Sequence, residues 1–212
     1  SVLVDGGYSD NVIAGASSHY CTAERQFRMP LEHGNQRPPS AQWTATAAGA
    51  VLIASADSDG RMSSDENGRV SRIRRIRVES GTIGKVIDAG VKDANQMGSA
   101  MAPAAVDTLL NHLQDTGRTL DHYDAVFSGD LGFIGKSIVE DLLVDAGFDK
   151  AVIDAVYDDC GAMIYEKEQD VHSGGSGCGC SASLFAGYVC GKLRKGDFRK
   201  VLIMSTGALL ST

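Results

Sequence analysis

The feature that most constrains how this chain folds is a glycine-rich turn followed by a helical pattern, HSGGSGCGCSASLFAGYVCGKL, from His172 to Leu193. The glycines let the backbone take positive φ and approach a ligand or a neighbouring segment closely. From Ser181 onward, apolar side chains recur at helical spacing, so the turn opens a helix whose first amides lack partners within it. Such amides bind anions and polarise carbonyl groups. A turn needed only for tight packing accounts for the same residues, and both interpretations remain open.

The composition bounds the class of protein. A chain of 212 residues with 43% apolar content can form one large globular domain or two small ones. Its net charge of -7 indicates that nucleic acid is not the main partner. In the one basic cluster, RVSRIRRIRV, aliphatic residues interrupt the arginines. This pattern predicts a strand with a solvated face from Val70 to Glu79.

The cysteines indicate a reducing compartment. There are five of them, and an odd number in a chain of this length is typical of free thiols. Cys178 and Cys180, with His172 nearby, supply only half of a zinc site, so we expect no metal and no cofactor. No run of 18 apolar residues occurs, and we therefore predict no membrane-spanning helix.

The first part of the chain begins with the pattern of a helix end followed by a strand. SVLVDGG is typical of the end of a helix, and Asn11–Ala16 is typical of a buried strand. Because a domain seldom starts in this way, we expect the chain to lack its own first elements. Ala45–Ala54 predicts a second strand that is buried on both faces. We expect Cys21–Pro39 to be a functional or interfacial excursion and Asp57–Gly68 to be a hairpin loop.

The second part alternates helices and strands. Asn95–Gln114 has helical spacing, and Pro103 predicts that the regular helix begins there with proline in its first turn. A buried strand in YDAVFSGD precedes another helix, a short strand lies within Val152–Ile164, and a last strand covers Lys200–Ser205. This order predicts a layered α/β sheet.

Ligands of such sheets collect at the carboxyl ends of the strands. We therefore expect Ser128 and Asp130, which follow one strand, to converge with the loop that carries Cys178.

Several motifs together resemble a known superfamily. GASSH, AGAVLIA, GGSGCGCSAS and VLIMSTGALLS follow one another in an order that resembles the thiolases, and in outline their ketoacyl-ACP synthase III branch. ASSHYCTAERQFR, PPSAQWT, FSGDLGFIG, HSGGSGCGCSAS and STGALLS resemble, more narrowly, the stage V sporulation protein AD family of spore-forming bacteria. These segments are spread over nearly the whole chain, which makes the narrower resemblance specific.

The resemblance implies an α/β fold, a thiolase-like layered αβαβα sandwich that is N-terminally incomplete in this chain. Residues 1–80 would be the remainder of the first thiolase-like half, and residues 81–212 would form the second half. It also implies a homodimer.

The resemblance also bears on catalysis. In thiolase-like enzymes the nucleophilic cysteine opens the helix that ends here as SVLVDGG, so its position lies outside this chain. The histidine and asparagine positions of such enzymes fall at Ser128 and Cys178. A serine is a poor general base near neutral pH, and a cysteine donates weakly to an oxyanion. We therefore expect no catalysis; the alternative is an acyl-transferring or condensing enzyme whose nucleophile lies outside this chain.

The sporulation family implies a binding function instead. Its members are understood to bind dipicolinic acid (dipicolinate) and to act in its uptake into the developing spore, with membrane proteins of the same operon as partners. This implies a location on the cytoplasmic side, peripheral to the inner membrane of the developing spore. A flat dianion requires amide and hydroxyl donors, a cation and an apolar slot.

The predicted ligand-binding residues come from the glycine turn and from the ends of neighbouring strands: His172, Ser173, Ser176, Gly177, Cys178, Gly179, Cys180, Ser128, Asp130 and His19. Arg25 and Arg28 are further candidates, either for the ligand or for a subunit interface. For His172 the alternative is a hydrogen bond that fixes the loop, and for Asp130 it is a helix cap. For Cys178 and Cys180 it is burial in a tight loop.

Overall fold

The computed structural model describes residues 2–20, 38–55, 63–64, 70–71 and 75–209. Residues 21–37, and with them Arg25 and Arg28, lie outside the described part. The first elements are helix α1 (Val2–Asp5) and strands β1 (Asn11–Ser18), β2 (Trp43–Thr44), β3 (Ala47–Ala54), β4 (Ser63–Ser64) and β5 (Val70–Ser71). Strands β4 and β5 pair in antiparallel fashion, so Ser63–Ser64 form a strand inside the segment predicted to be a hairpin loop, and the rest of Asp57–Gly68 lies outside the described residues.

The second part of the chain follows with short 3-10 turns between longer elements. These elements are α2 (Met97–Thr116), β6 (Ala125–Ser128), α3 (Gly132–Asp145), α4 (Lys150–Val156), β7 (Tyr157–Asp159), α5 (Cys160–Met163), β8 (Gly175–Ser176), α6 (Cys178–Leu184), α7 (Cys190–Lys195) and β9 (Val201–Met204). A π-helical turn, Phe185–Val189, joins α6 to α7 in one continuous helix. None of the described helices is both long enough and apolar enough to cross a membrane.

A parallel sheet with strand order β7-β6-β9 forms the centre of the second part. Val126 lies opposite both Tyr157 and Leu202, and all four residues of β6 are buried. Helices α2 and α3 pack together and contribute Leu109, Val139 and Leu143 to the main core. The chain is thus a mixed α/β protein, and the predicted alternation of strands and helices is confirmed. The five-layered sandwich and the boundary at residue 80 stay predictions.

Strands β1 and β3 form a separate antiparallel pair, with Asn11 opposite Ala54 and Ser18 opposite Ala47. One face of the pair packs against α6, so closely that a Cβ atom on Gly49 would clash with the carbonyl of Ala182. The opposite face is open: Ile13 is 76% exposed and Leu52 is 68% exposed. The predictions that Asn11–Ala16 is a buried strand and that β3 is buried on both faces are therefore wrong for the described structure. Small residues permit close packing on either face, but only one face is covered by described residues.

Helix α2 begins at Met97, six residues before Pro103, so the prediction that proline starts the helix is wrong. The turns before the proline are held by packing, because Met101 and Ala102 are buried and Gly98 lies directly against Gly135 of α3. This burial outweighs the amide that proline removes from the helix. The helix ends as expected, at Gly117 with φ of 62°.

Three other predicted boundaries change. Of the strand predicted for Val70–Glu79, the described residues Val70–Ser71 form a strand and residues 75–79 have no regular secondary structure, while residues 72–74 lie outside the described part. The short strand β7 is flanked by helices on both sides and not by a loop. The long helix begins at Cys178, three residues before the apolar periodicity becomes visible.

Candidate functional site

The glycine turn is bonded to the first part of the chain by a short parallel ladder. Trp43 donates its amide to the Gly174 carbonyl at 2.8 Å, and Ala45 donates to the Ser176 carbonyl at 2.9 Å. The buried side chain of Gln42 adds two hydrogen bonds. Its Nε2 atom donates to the backbone carbonyl oxygens of Asp130 (2.8 Å) and Gly175 (2.7 Å). The ladder brings the ends of β1 and β3 next to the start of α6.

The turn between β6 and α3 is closed by a buried carboxylate. Asp159, at the end of β7, is completely buried and accepts four hydrogen bonds. They come from the Ser128 hydroxyl (2.7 Å) and from the amides of Leu131 (2.9 Å), Gly132 (2.8 Å) and Ala162 (3.0 Å). Both carboxylate oxygens are therefore occupied by donors from the chain itself.

Ser173 completes the closure of this first turn. Its carbonyl accepts the amide of Phe133 at 2.8 Å, and its hydroxyl accepts the amide of Ile134 at 3.3 Å. Four consecutive amides at the start of α3, from Leu131 to Ile134, thus find their partners in Asp159 and Ser173. Amides that are satisfied in this way are not available to a ligand.

Burial dominates the electrostatics of this cluster. It raises the pKa of Asp159 to about 6, although the hydrogen bonds from Ser128 and the backbone amides act in the opposite direction. Burial also raises the pKa of Tyr157, whose hydroxyl lies 2.7 Å from that of Ser128. The predicted site residue Ser128 is therefore fixed between two buried groups and has no exposed surface.

The second turn, at the start of α6, is arranged differently. The amide of Gly177 donates to the Asp130 carboxylate at 2.7 Å, and the amide of Gly179 donates to the Ser18 hydroxyl at 3.1 Å. Ser18 in turn donates to the Ala45 carbonyl at 2.6 Å. The expected convergence with the loop of Cys178 is confirmed for Asp130, whereas the hydroxyl of Ser128 contacts Asp159 and Tyr157. Asp130 places a negative charge at the start of α6.

A shallow groove of about 450 Å³ opens beside this second turn, at the ends of β1 and β3. Its lining residues are Ser17, Ser18, His19, Thr46, Ala47 and Ala48. The Nδ1 atom of His19 lies 3.3 Å from the Thr46 hydroxyl. Cys178 is exposed, and its thiol donates to the Ser17 carbonyl at 3.1 Å, which places the helix start at the edge of the groove.

His172 makes its contacts elsewhere. Its Nδ1 atom lies 3.1 Å from the Pro38 carbonyl, its Nε2 atom lies 3.8 Å from the Asp170 carboxylate, and its φ is 51°. These contacts fix the beginning of the glycine turn, whereas the groove lies beside its end. Ser176 is fully buried, and its hydroxyl has no partner among the described residues.

The cysteines of this region divide into one exposed and two buried thiols. Burial raises the pKa of Cys160 to about 12 and also raises that of Cys180, which keeps both thiols protonated. Cys180 is therefore buried in the tight loop, as the alternative interpretation expected, whereas Cys178 is exposed. Within the described ranges, no group of three or more His, Cys, Asp or Glu side chains is placed to hold a metal ion.

Sequence reasoning did not single out Asp159, Gln42 or Thr46. An aspartate between short apolar runs usually caps a turn at the surface, so nothing in YDDCGA indicates four internal donors. Gln42 lies in PPSAQWT, a segment of the resemblance without an assigned role. Thr46 lies between β2 and β3, and its place in the lining of the groove becomes evident only from the structure.

Comparison with known proteins identifies the family. A family model described as stage V sporulation protein AD matches residues 1–212. Stage V sporulation protein AD of Bacillus subtilis (strain 168) is 44% identical over 211 residues, covering 100% of this chain and 57% of that relative. The chain thus spans well under two thirds of the length of the relative that it matches. It belongs to the stage V sporulation protein AD family.

Proposed function

We propose that this chain is a non-catalytic binding protein for dipicolinate that acts in its uptake into the developing spore. Family membership supports a role in sporulation. The observation that carries the ligand site is the convergence of His19, Thr46 and the start of α6 on one open groove. A groove of this kind offers a ring nitrogen, hydroxyl groups and small apolar residues to a small planar ligand.

The charges favour the His19 side of the groove. Asp130 already accepts the amide of Gly177, so a dianion bound directly there would lie next to another carboxylate. His19 is exposed, and an imidazole N–H donates a charge-assisted hydrogen bond to a carboxylate. Our proposal therefore places one carboxylate of the ligand near His19 and Thr46, and the ring over Ala47 and Ala48.

The geometry of Ser128 supports the absence of catalysis. This residue stands where related enzymes carry a catalytic histidine, and here it is buried, with its hydroxyl bonded to Asp159 and close to Tyr157. A residue that acts as a general base must reach the proton that it removes. Ser128 has no exposed atom that meets this condition, and we propose that its role is to hold the first turn.

The proposal extends to assembly and location. We propose a homodimer that works with membrane proteins of the same operon on the cytoplasmic side of the developing spore's inner membrane. The open face of the β1–β3 pair, with Ile13 and Leu52 exposed, is a surface that such assembly would cover. Sedimentation velocity of the chain and of a Leu52→Lys variant tests the homodimer. A wild type that remains a monomer at micromolar concentration contradicts it.

Calorimetric titration tests the ligand and its location together. Dipicolinate is titrated into the wild type, into His19→Ala and into His172→Ala, which is a matched control with the same substitution outside the groove. We expect saturable binding by the wild type, binding at least about tenfold weaker in His19→Ala because a charge-assisted bond is lost, and little change in His172→Ala.

Other outcomes have definite meanings. A loss confined to His172→Ala moves the site to the beginning of the glycine turn. No dipicolinate binding by the folded wild type contradicts the proposal. Saturable binding of acetyl-CoA, titrated as the comparison, favours the alternative of an acyl-transferring enzyme.

A further inference from the structure

A long segment without regular secondary structure lies against helix α2. It covers residues 75–93, and two of its apolar side chains, Ile83 (93% exposed) and Val86 (99% exposed), point away from the protein. We call its central part, Glu79–Lys85, the strap. The strap runs antiparallel to α2, since its first residue meets Arg118 beyond the end of the helix and its last residue meets Asp107.

Most contacts of the strap are exposed ones. Arg118 lies 3.5 Å from the Glu79 carboxylate and donates to the Ser80 hydroxyl at 3.3 Å. At the other end, Lys85 lies 2.9 Å from Asp107. Exposed ion pairs of this kind contribute about 0–1 kcal/mol each, so they hold the strap only weakly.

One contact of the strap is different because it reaches a buried side chain. The Thr82 hydroxyl lies 2.8 Å from Nδ1 of His112, which is only 3% exposed. The Nε2 atom of His112 lies 2.8 Å from the Tyr123 hydroxyl, and Arg118 donates to that hydroxyl at 3.3 Å. These four residues form one chain of hydrogen bonds from Arg118 to the strap.

The donors in this chain fix the state of the imidazole. Arg118 can only donate, so the Tyr123 oxygen accepts from it, and among these four residues the Tyr123 proton finds an acceptor only when Nε2 of His112 is unprotonated. Nε2 is then the acceptor of a neutral imidazole, and Nδ1–H donates to Thr82. These hydrogen bonds can all form together only when the His112 imidazole is neutral.

Protonation of His112 disturbs this order. The new Nε2–H would point at a hydroxyl that already donates in that direction, and the imidazolium would lie close to the Arg118 guanidinium. Burial and Arg118 lower the pKa of His112 from its ordinary value of 6.5, against the opposing effect of Asp115. The other titratable groups around it are Tyr123 with its neighbour His122, and Glu79 of the strap. Glu79 is exposed and paired with Arg118, so it does not compensate the positive charge of a buried imidazolium.

We propose that the strap is a pH-sensitive latch, attached to α2 through Thr82 while His112 is neutral and released when His112 is protonated. Because the folded state disfavours the protonated imidazole, the attachment is complete above pH 6.5 and is lost as the pH falls below that value. Release would free the strap with Ile83 and Val86 and uncover the α2 surface beneath Gly84, where Thr108 lies in contact.

NMR spectroscopy of the chain tests the latch. The methyl signals of Thr82, Ile83 and Val86 are followed together with the His112 imidazole from pH 7.5 to pH 5. We expect the Thr82 methyl signal to move with the same midpoint as His112, below 6.5, and the order parameters of the Ile83 and Val86 methyl groups to fall with it. Titration of His112 without any change in the three methyl groups overturns the proposal.

Two variants separate the latch from general acid unfolding. His112→Gln keeps one donor and one acceptor but does not titrate in this range, so its strap should stay attached down to pH 5. Thr82→Val removes the hydroxyl and keeps the side-chain shape, so its strap should be released at every pH and the His112 midpoint should change. Release of the strap in His112→Gln at the wild-type midpoint contradicts the latch. If His112→Gln does not fold, an unchanged midpoint in Thr82→Val overturns the proposal by itself.

Discussion

In the described part of the chain, two glycine turns lead from a strand into a helix, and they differ in which groups bond to their amides. At the first, between β6 and α3, four consecutive amides are bonded to Asp159 and Ser173, and Ser128 is buried beneath them. At the second, before α6, Asp130 and Ser18 hold two amides while Cys178 remains exposed beside a groove. The same local sequence pattern therefore gives one turn that the chain itself closes and one turn that remains partly open to solvent.

The difference teaches that a glycine turn before a helix is not by itself a ligand site. The deciding factor is whether another segment of the chain supplies the acceptor. For the first turn that acceptor is a fully buried aspartate, which accepts four hydrogen bonds from the chain. A small ligand could replace it only by burying a charge of its own. For the second, the acceptors leave one side of the helix start open to solvent.

The largest expected effect comes from the carboxylate that closes the first turn. Asp159→Ala should lower the free energy of unfolding by several kcal/mol, since each buried donor that loses its partner costs about 1–3 kcal/mol. Urea unfolding measures the loss. Asp154→Ala, which removes only the exposed partner of Lys150, is the control and should cost no more than about 1 kcal/mol. Equal losses in the two variants would remove the basis of the comparison.

Replacing a glycine by alanine should destabilise the protein more at the first turn than at the second. Gly132→Ala places a Cβ atom against the Ser173 carbonyl at a φ of 69° and should be strongly destabilising. Gly177→Ala meets only side chains, with the Ser18 hydroxyl at 3.0 Å, and should cost less. Gly117→Ala, with nothing within 4 Å, should cost only the left-handed backbone penalty of about 1–2 kcal/mol. Thermal or urea unfolding gives the order, and a Gly177 variant that is less stable than the Gly132 variant contradicts it.

The first turn should also be sensitive to pH. Burial raises the folded-state pKa of Asp159 to about 6, above its ordinary value of 3.8. Its titration therefore contributes stability that is complete below pH 3.8 and is lost as the pH rises through about 6. Carboxyl carbon NMR should show a midpoint near this value. Ser128→Ala removes a bond that lowers the pKa and should move the midpoint upward; a midpoint that stays in the ordinary range for aspartate would refute the assignment.

Thiol reactivity should show the smallest but most local difference. Cys178 is exposed, whereas Cys180, two residues later, is buried with a raised pKa. Since the thiolate is the reactive form, a maleimide should label Cys178 at least about tenfold faster than Cys180. Peptide mass spectrometry after short labelling measures both residues in one sample. Comparable labelling of the two would mean that the second turn opens more widely than the structure shows.

The sequence predicted much of the fold because local patterns carried it. The strand in YDAVFSGD, the helix after it and the end of α2 at Gly117 each follow from periodicity or from a left-handed glycine. Pro103 misled the prediction of the helix start, because the contact between Gly98 and Gly135 joins residues far apart in sequence. The open face of β1 and β3 could not be predicted either, since small residues suit a covered and an uncovered face equally.

The site was predicted in part. Asp130 and the loop of Cys178 do converge, as the ends of neighbouring strands should. Asp159 was missed because its four donors come from β6, from the turn after it, from the start of α3 and from α5, and no spacing in the sequence brings these together. The interpretation of Ser128 depended on the resemblance, and its contacts with Asp159 and Tyr157 became evident only from the pairing of β6 with β7.

The most direct test of the contrast between the two turns is a map of amide chemical-shift changes when dipicolinate is added to the chain. We expect changes at Ser17, Ser18, Thr46 and Cys178, around the groove, and unchanged signals from Leu131 to Ile134. Changes confined to the segment from Leu131 to Ile134 would contradict this contrast, because they would place the ligand at the turn that the chain itself has closed.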